Sequence, residues 1–169
     1  MRRTAAGEAL TDLILEIFRV NGDLLASGDE LTRDLGQTSS RWQVLGAIRS
    51  REDTVSGIAR VMGLTRQSVQ RTTDLLAEDG LVEYVDNPVH RRAKLVRLTD
   101  RGRAFLGDLA PRQAAWANGL AKAIKRDAAQ IEQVKRLLAD LRTELETRPV
   151  SMARSGGKRH RQSAGRGGR

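Results

Sequence analysis

Between residues 65 and 71 the sequence sets out six side chains able to read the hydrogen-bonding edge of another molecule: Thr65, Arg66, Gln67, Ser68, Gln70 and Arg71. On a helical wheel Gln67, Gln70, Arg71 and Asp74 share one side, Val69, Thr72, Thr73 and Leu76 the other, and Thr65, Arg66 and Ser68 stand at the N-terminal end. Arg can pair with guanine O6 and N7 and Gln with adenine N6 and N7 in a major groove. Thr, Ser and the open N–H groups of a helix N-terminus can hold phosphates. An ordinary solvated helix face would use the same residues. A second basic group follows in DNPVHRRAK, where His90, Arg91, Arg92 and Lys94 surround a proline-containing turn. Such a loop can reach sugar-phosphate or a minor groove, or it can be a solvated hairpin tip.

Other chemistry is poorly provided for. With no cysteine there is no disulfide, thiolate metal site or thiol nucleophile. His90 and His160 lie 70 positions apart, without metal-ligand spacing. No nucleophile–base set can be assembled, so we expect no catalytic residue, no metal and no cofactor, hence no enzyme. No apolar run approaches the roughly 18 residues that cross a bilayer. The N-terminal MRRTAAGEALTDL does not read as a secretory signal. The expectation is a cytoplasmic protein, associated with the nucleoid through DNA, with no membrane partner.

Charge divides the 169 residues unevenly. The formal charge of +9 suggests a basic protein throughout, yet all 21 acidic residues lie between Glu8 and Glu146. Up to Thr147, 23 basic residues against 21 acidic ones leave +2, and the last 22 residues carry +7. That segment, 148–169, is glycine-rich and almost without apolar residues, so a disordered basic tail is expected, able to touch phosphates without sequence choice. Specificity in the nearly neutral body must come from where a few side chains point.

The elements that would position those side chains are mostly helices. Aromatic residues are scarce, and long amphipathic helices that bury aliphatic stripes against a partner chain are an economical way to form a core. Leu10, Leu13, Ile14, Ile17, Val20 and Leu24 predict a helix over 5–26, and the polar stretch 27–38 reads as a turn. A second helix through Trp42, Val44, Leu45 and Ile48 should be capped by Ser39 or Ser40. Thr54 caps the short helix VSGIARVM, which Gly63 ends, and Thr65 caps RQSVQRTTDLLAED, which runs to Gly80. Two helices with a tight glycine-containing connection form a helix-turn-helix. The strands LVEYV and AKLVRLT, joined through Asp86-Asn87-Pro88, make a hairpin wing directly after it. Thr99 caps a helix over 100–125 that Pro111 should kink or break. Asp127 and Gln130 have capping-box spacing for a last helix striped by Ile131, Val134, Leu138, Leu141 and Leu145, which Arg148-Pro149 ends.

The run GIARVMGLTRQSVQRTTDLLAEDGLVEYVDNPVHRRAKLVRLTDRGR, preceded by SSRWQVLGAI, resembles the winged-helix core of the MarR family of regulators. The resemblance covers about residues 5–147, and its wing-plus-LTDRG signature is fairly specific. It implies a mainly α fold with a small β-hairpin wing, in a single domain over 1–147. Residues 36–99 would form the winged helix-turn-helix lobe that binds DNA, and 5–26 and 100–147 would supply long dimerisation helices. It further implies a homodimer on a palindromic operator, probing DNA with Thr65, Arg66, Gln67, Ser68, Gln70 and Arg71 and with the wing's His90, Arg91, Arg92 and Lys94. The implied function is a sequence-specific repressor, relieved by a small aromatic or anionic effector bound between the helices and the lobe. Trp42 lies on the helix that lines that pocket, with Arg41 beside it to pair an anion, though Trp42 also reads as a core residue. The wing departs from the family pattern: the usual central Arg is Val89, which leaves Arg91 as the candidate for the minor groove. Two other readings stay open, a low-specificity architectural DNA-coating protein and a ligand- or partner-binding module without DNA binding.

Overall fold

The structure is a computed structural model that describes residues 3–148. The basic tail expected beyond them lies outside the described residues. The chain divides into two compact units, one running to Leu120 and the other beginning at Ala121.

In the first unit, α1 (Ala5–Thr32) is capped by Thr4, whose hydroxyl accepts from Gly7 N at 3.1 Å. It does not stop at residue 26 as the sequence suggests; the polar stretch read as a turn continues the helix to Thr32, and a 3-10 turn follows (Arg33–Leu35). The polar side chains there bind the next helix, α2 (Ser39–Ala47), rather than bending the chain. Asp29 Oδ1 accepts from Ser39 N at 2.7 Å, and Thr32 Oγ1 lies 2.9 Å from the Gly28 carbonyl and 3.0 Å from that of Gln37. Gly28 permits the close crossing, because a Cβ there would collide with the Ser39 side chain. Ser39 is therefore buried inside α2, and the cap is Thr38, one residue earlier than expected.

The helix-turn-helix follows as read. Thr54 accepts from Gly57 N at 3.0 Å to start α3 (Val55–Met62), and Thr65 accepts from Ser68 N at 3.1 Å to start α4 (Arg66–Glu78). Gly63 and Gly80 adopt φ of 65° and 68° after these two helices. In both cases the next residue bonds back into the last turn, Leu64 N to Ala59 O and Leu81 N to Leu76 O, each at 2.9 Å. The left-handed residue satisfies the helix's open carbonyls and reverses the chain, a geometry glycine adopts without steric cost.

β2 (Val82–Val85) and β3 (Leu95–Leu98) form the hairpin, with Tyr84 opposite Val96. A two-residue strand, β1 (Asp53–Thr54), pairs on the other side of β3, so the antiparallel order is β1-β3-β2. β1 is too short to leave an alternating pattern in the sequence. Val44 and Leu45, Ile58, Val69 and Leu76, Val96, and Leu109 of the next helix meet as the fully buried core. Each such aliphatic contributes about 1.5–3 kcal/mol on leaving water.

Helix α5 (Asp100–Ile124) starts at Thr99, whose hydroxyl accepts from Gly102 N at 3.1 Å. Of the kink or break expected at Pro111, the break does not occur, and the helix continues through it to Ile124. In the second unit, α6 (Ala128–Thr147) opens with the expected capping box: Gln130 N bonds Asp127 Oδ1 at 2.8 Å and Asp127 N bonds Gln130 Oε1 at 3.2 Å. No helix among the described residues is long and apolar enough to cross a membrane.

Candidate nucleic-acid interface

Helix α4 presents its polar side because its other side is needed for the core. Val69, Thr73 and Leu76 are buried, and this fixes the rotation that leaves Arg66, Gln67, Ser68 and Arg71 exposed. The Thr65 oxygen is taken up by Ser68 N, which leaves its O–H free to donate outward. Helix geometry leaves the Arg66 and Gln67 N–H groups without an intrahelical acceptor, beside the Arg66 guanidinium. The whole first turn of α4 is thus a cluster of donors.

Gln70 differs from its neighbours. It is half-buried, and its Nε2 donates to Asp74 Oδ1 at 2.8 Å and to the Tyr84 hydroxyl at 2.9 Å. The hydroxyl in turn lies 2.7 Å from both Thr73 Oγ1 and Asp74 Oδ1. Burial raises the Tyr84 pKa above its ordinary value, and the Thr73 contact partly offsets the rise. This network ties the recognition helix to β2. Sequence reading placed Gln70 with the free side chains because its partner, Tyr84, is 14 residues away.

The wing tip is fixed at its base. Asn87 is buried and its Oδ1 accepts from Val89 N at 2.9 Å and His90 N at 3.1 Å, a local turn that substitutes for strand pairing. His90, Arg91, Arg92 and Lys94 all project from it exposed, and Val89 stands 76% exposed between them. Arg92 and Lys94 meet Arg66 and Gln70 around a cleft of about 300 Å³ that also includes Thr54 and Ser56. Helix and wing therefore form one cationic surface. Arg91 lies apart, over Asp86, Asn87 and Pro88.

The residues expected at an effector pocket are not brought together. Arg41 is half-buried in an ion pair with Asp79 Oδ2 at 2.7 Å, and Gln37 Nε2 binds the same oxygen at 3.2 Å. Trp42 packs partly against the core and opens on a cleft of about 260 Å³ between α2 and α5, with Arg49, Leu106, Leu109 and Gln113. The cation beside Trp42 in that cleft is Arg49, which lies in the turn just past the end of α2, so no helical spacing marked it in the sequence. Arg112 binds Asp34 at 2.6 Å, joining α5 to the turn after α1, and holds that carboxyl below the ordinary range. Among the described residues no group of three His, Asp or Glu is placed to hold a metal ion.

The sequence profile of the MarR family matches residues 35–93, which run from before α2 to the wing. An uncharacterized protein of Mycobacterium tuberculosis is 34% identical over 139 residues, covering 81% of this chain and 97% of its own. The HTH-type transcriptional regulator BilQ of Clostridioides difficile is 29% identical over 100 residues, 58% of this chain and 67% of its own. The fold is similar to that of CouR from Rhodococcus jostii, solved bound to p-coumaroyl-CoA, with a TM-score of 0.68 at 24% identity over 82% of this chain and 93% of that one.

Proposed function

The chain belongs to the MarR family of transcriptional regulators, and from that premise we propose that it represses transcription as a homodimer on a palindromic operator. Each α4 would enter one major groove with Arg66, Gln67, Ser68 and Arg71 toward the bases and Thr65 on phosphate. Arg92 and Lys94 would hold the backbone beside it, and His90 and Arg91 would follow the adjoining minor groove. Gln70 would reach a base only with its amide still held by Asp74 and Tyr84. The observation that carries this reading is the convergence of Arg66 on the helix with Arg92 and Lys94 on the wing around one cleft. In a body of charge near zero, that local concentration of cations matters more than overall basicity.

An effector would bind beside Trp42, with the indole against an aromatic or apolar part and Arg49 on an anionic one. CouR's bound p-coumaroyl-CoA supports a small-molecule effector in this fold. The regulator would then work in the cytoplasm, on the nucleoid.

Arg71→Ala and Arg92→Ala separate base reading from backbone holding. Loss of Arg71 should cost about 10- to 100-fold discrimination at one operator position, the worth of a bidentate arginine–guanine pair. Loss of Arg92 should weaken binding to all sequences alike and lower the slope of log affinity against log salt by about 1. Fluorescence anisotropy on operator and random duplexes over a salt series measures both. If each variant binds both duplexes as the parent does, this surface is not the DNA interface.

A further inference from the structure

The bonds around Gln70 have a consequence for which bases the helix accepts. A glutamine amide is ambivalent: one end accepts, the other donates, and a half-turn about its last bond exchanges them. Unrestrained, it serves a base that offers an amino hydrogen or one that offers a keto oxygen. Here the choice is removed. Asp74 Oδ1 lies 2.8 Å from Gln70 Nε2, and a carboxylate oxygen only accepts, so the nitrogen must face it. Turning the amide over would set Gln70 Oε1 against Asp74 Oδ1, two acceptors in contact. Tyr84, 2.9 Å from the same nitrogen and 2.7 Å from the same carboxylate oxygen, holds the pair from the strand side.

We propose that Asp74 and Tyr84 lock the polarity of the Gln70 amide so that its Oε1 reads the exocyclic amine of adenine or cytosine and rejects guanine and thymine. Asp74 and Tyr84 are positioning residues, and Gln70 is the one that touches the base. Adenine N6 and cytosine N4 are the amino donors of the major groove, and guanine O6 and thymine O4 are acceptors there. The inference rests on α4 being the DNA-reading helix. It deepens that reading by naming the class of base at one position.

The test is selection from a random duplex pool with the full-length protein, its Gln70→Ala variant and the Asp74→Ala/Tyr84→Phe double variant. The position read by Gln70 is the one whose preference disappears in Gln70→Ala. There the parent should favour amino over keto bases about tenfold, the worth of one hydrogen bond against an acceptor–acceptor clash. In the double variant the amide turns freely, and that preference should fall within about twofold while the other positions keep theirs. Asp74→Ala removes an exposed carboxylate and raises affinity for all DNA, so the ratio at that position is read rather than affinity. Asp74→Ala alone should show the same relaxation and stands in if the double variant does not fold. A parent that favours keto bases there, a preference that survives unlocking, or a pool in which no position depends on Gln70 overturns the assignment. A parent that enriches no sequence overturns the DNA-reading account itself.

Discussion

Val134→Asp and Leu138→Asp, introduced together, should halve the mass measured by light scattering and weaken operator binding at least about 100-fold. In one copy of the chain, α6 leaves Ile131, Val134, Leu137, Leu138 and Leu145 exposed, although its capping box is complete. Val134 and Leu138 line an open apolar depression with Ile124 and Ile131. In the other unit α1 leaves Leu10, Leu15, Phe18 and Leu24 exposed, Phe18 by 69%. Exposed apolar surface of this kind, on each helix taken by itself, marks an interface. A carboxylate placed in it must give up its hydration without a partner, which a dimer cannot tolerate. Operator affinity falls because two half-sites bound by one molecule gain about 10²–10⁴ over either alone, and monomers lose that gain. Since both side chains are exposed in the single copy, the fold of the monomer should survive, as far-UV circular dichroism would show. A variant of unchanged mass would contradict the proposal that these α6 residues join two copies of the chain.

Gly102→Ala should lower the melting temperature by about 10 °C, the effect of about 3 kcal/mol in a domain of this size. Gly102 lies in the first turn of α5, against the start of β2. A Cβ there would run into the Leu81 carbonyl oxygen and come within 3.2 Å of Leu98 Cδ2. The backbone cannot move aside cheaply, because Thr99 N bonds the same Leu81 oxygen at 3.1 Å and Thr99 Oγ1 bonds Gly80 O at 2.7 Å. Gly107, in the same helix, has nothing within 4 Å of its Cβ position. Gly107→Ala should therefore stabilise by about 0.5–1 kcal/mol through helix propensity alone. Measured at one protein concentration, since dimerisation adds to apparent stability, the two alanines should move melting in opposite directions. If both raise it, the junction of α5 with the wing is looser than these distances require.

That junction also marks what sequence reading reaches. The LTDRG run identified the end of the wing and the start of α5, and Thr99 caps the helix as expected. The reason for Gly102 is a backbone carbonyl 21 positions earlier, which no local pattern shows. The caps at Thr54, Thr65 and Asp127 were legible because a cap and the backbone N–H that donates to it lie three residues apart. The continuation of α1 was not legible, because the polar residues Asp29 and Thr32 that suggest a turn are spent on α2 and the segment leading into it. The same limit holds at the candidate site. Alternation of buried and exposed positions on α4 identifies its outward face, but the Arg41–Asp79 pair and the Gln70–Tyr84 bond depend on partners brought close only by folding. Each removes a side chain from the free set that composition suggests.

The central claim is that α4 and the wing read a particular DNA sequence as a symmetric pair. Selection from a random duplex pool by the unmodified full-length protein tests it most directly. The account predicts enrichment of an inverted repeat with half-sites centred about 10 base pairs apart, or a multiple of that, bound about 10³-fold or more tightly than random sequence. A protein that coats DNA without choice would retain the pool unenriched, with an even footprint. A module that does not bind DNA would retain none of it even at low salt, where phosphate contacts are strongest, and either result would contradict the account.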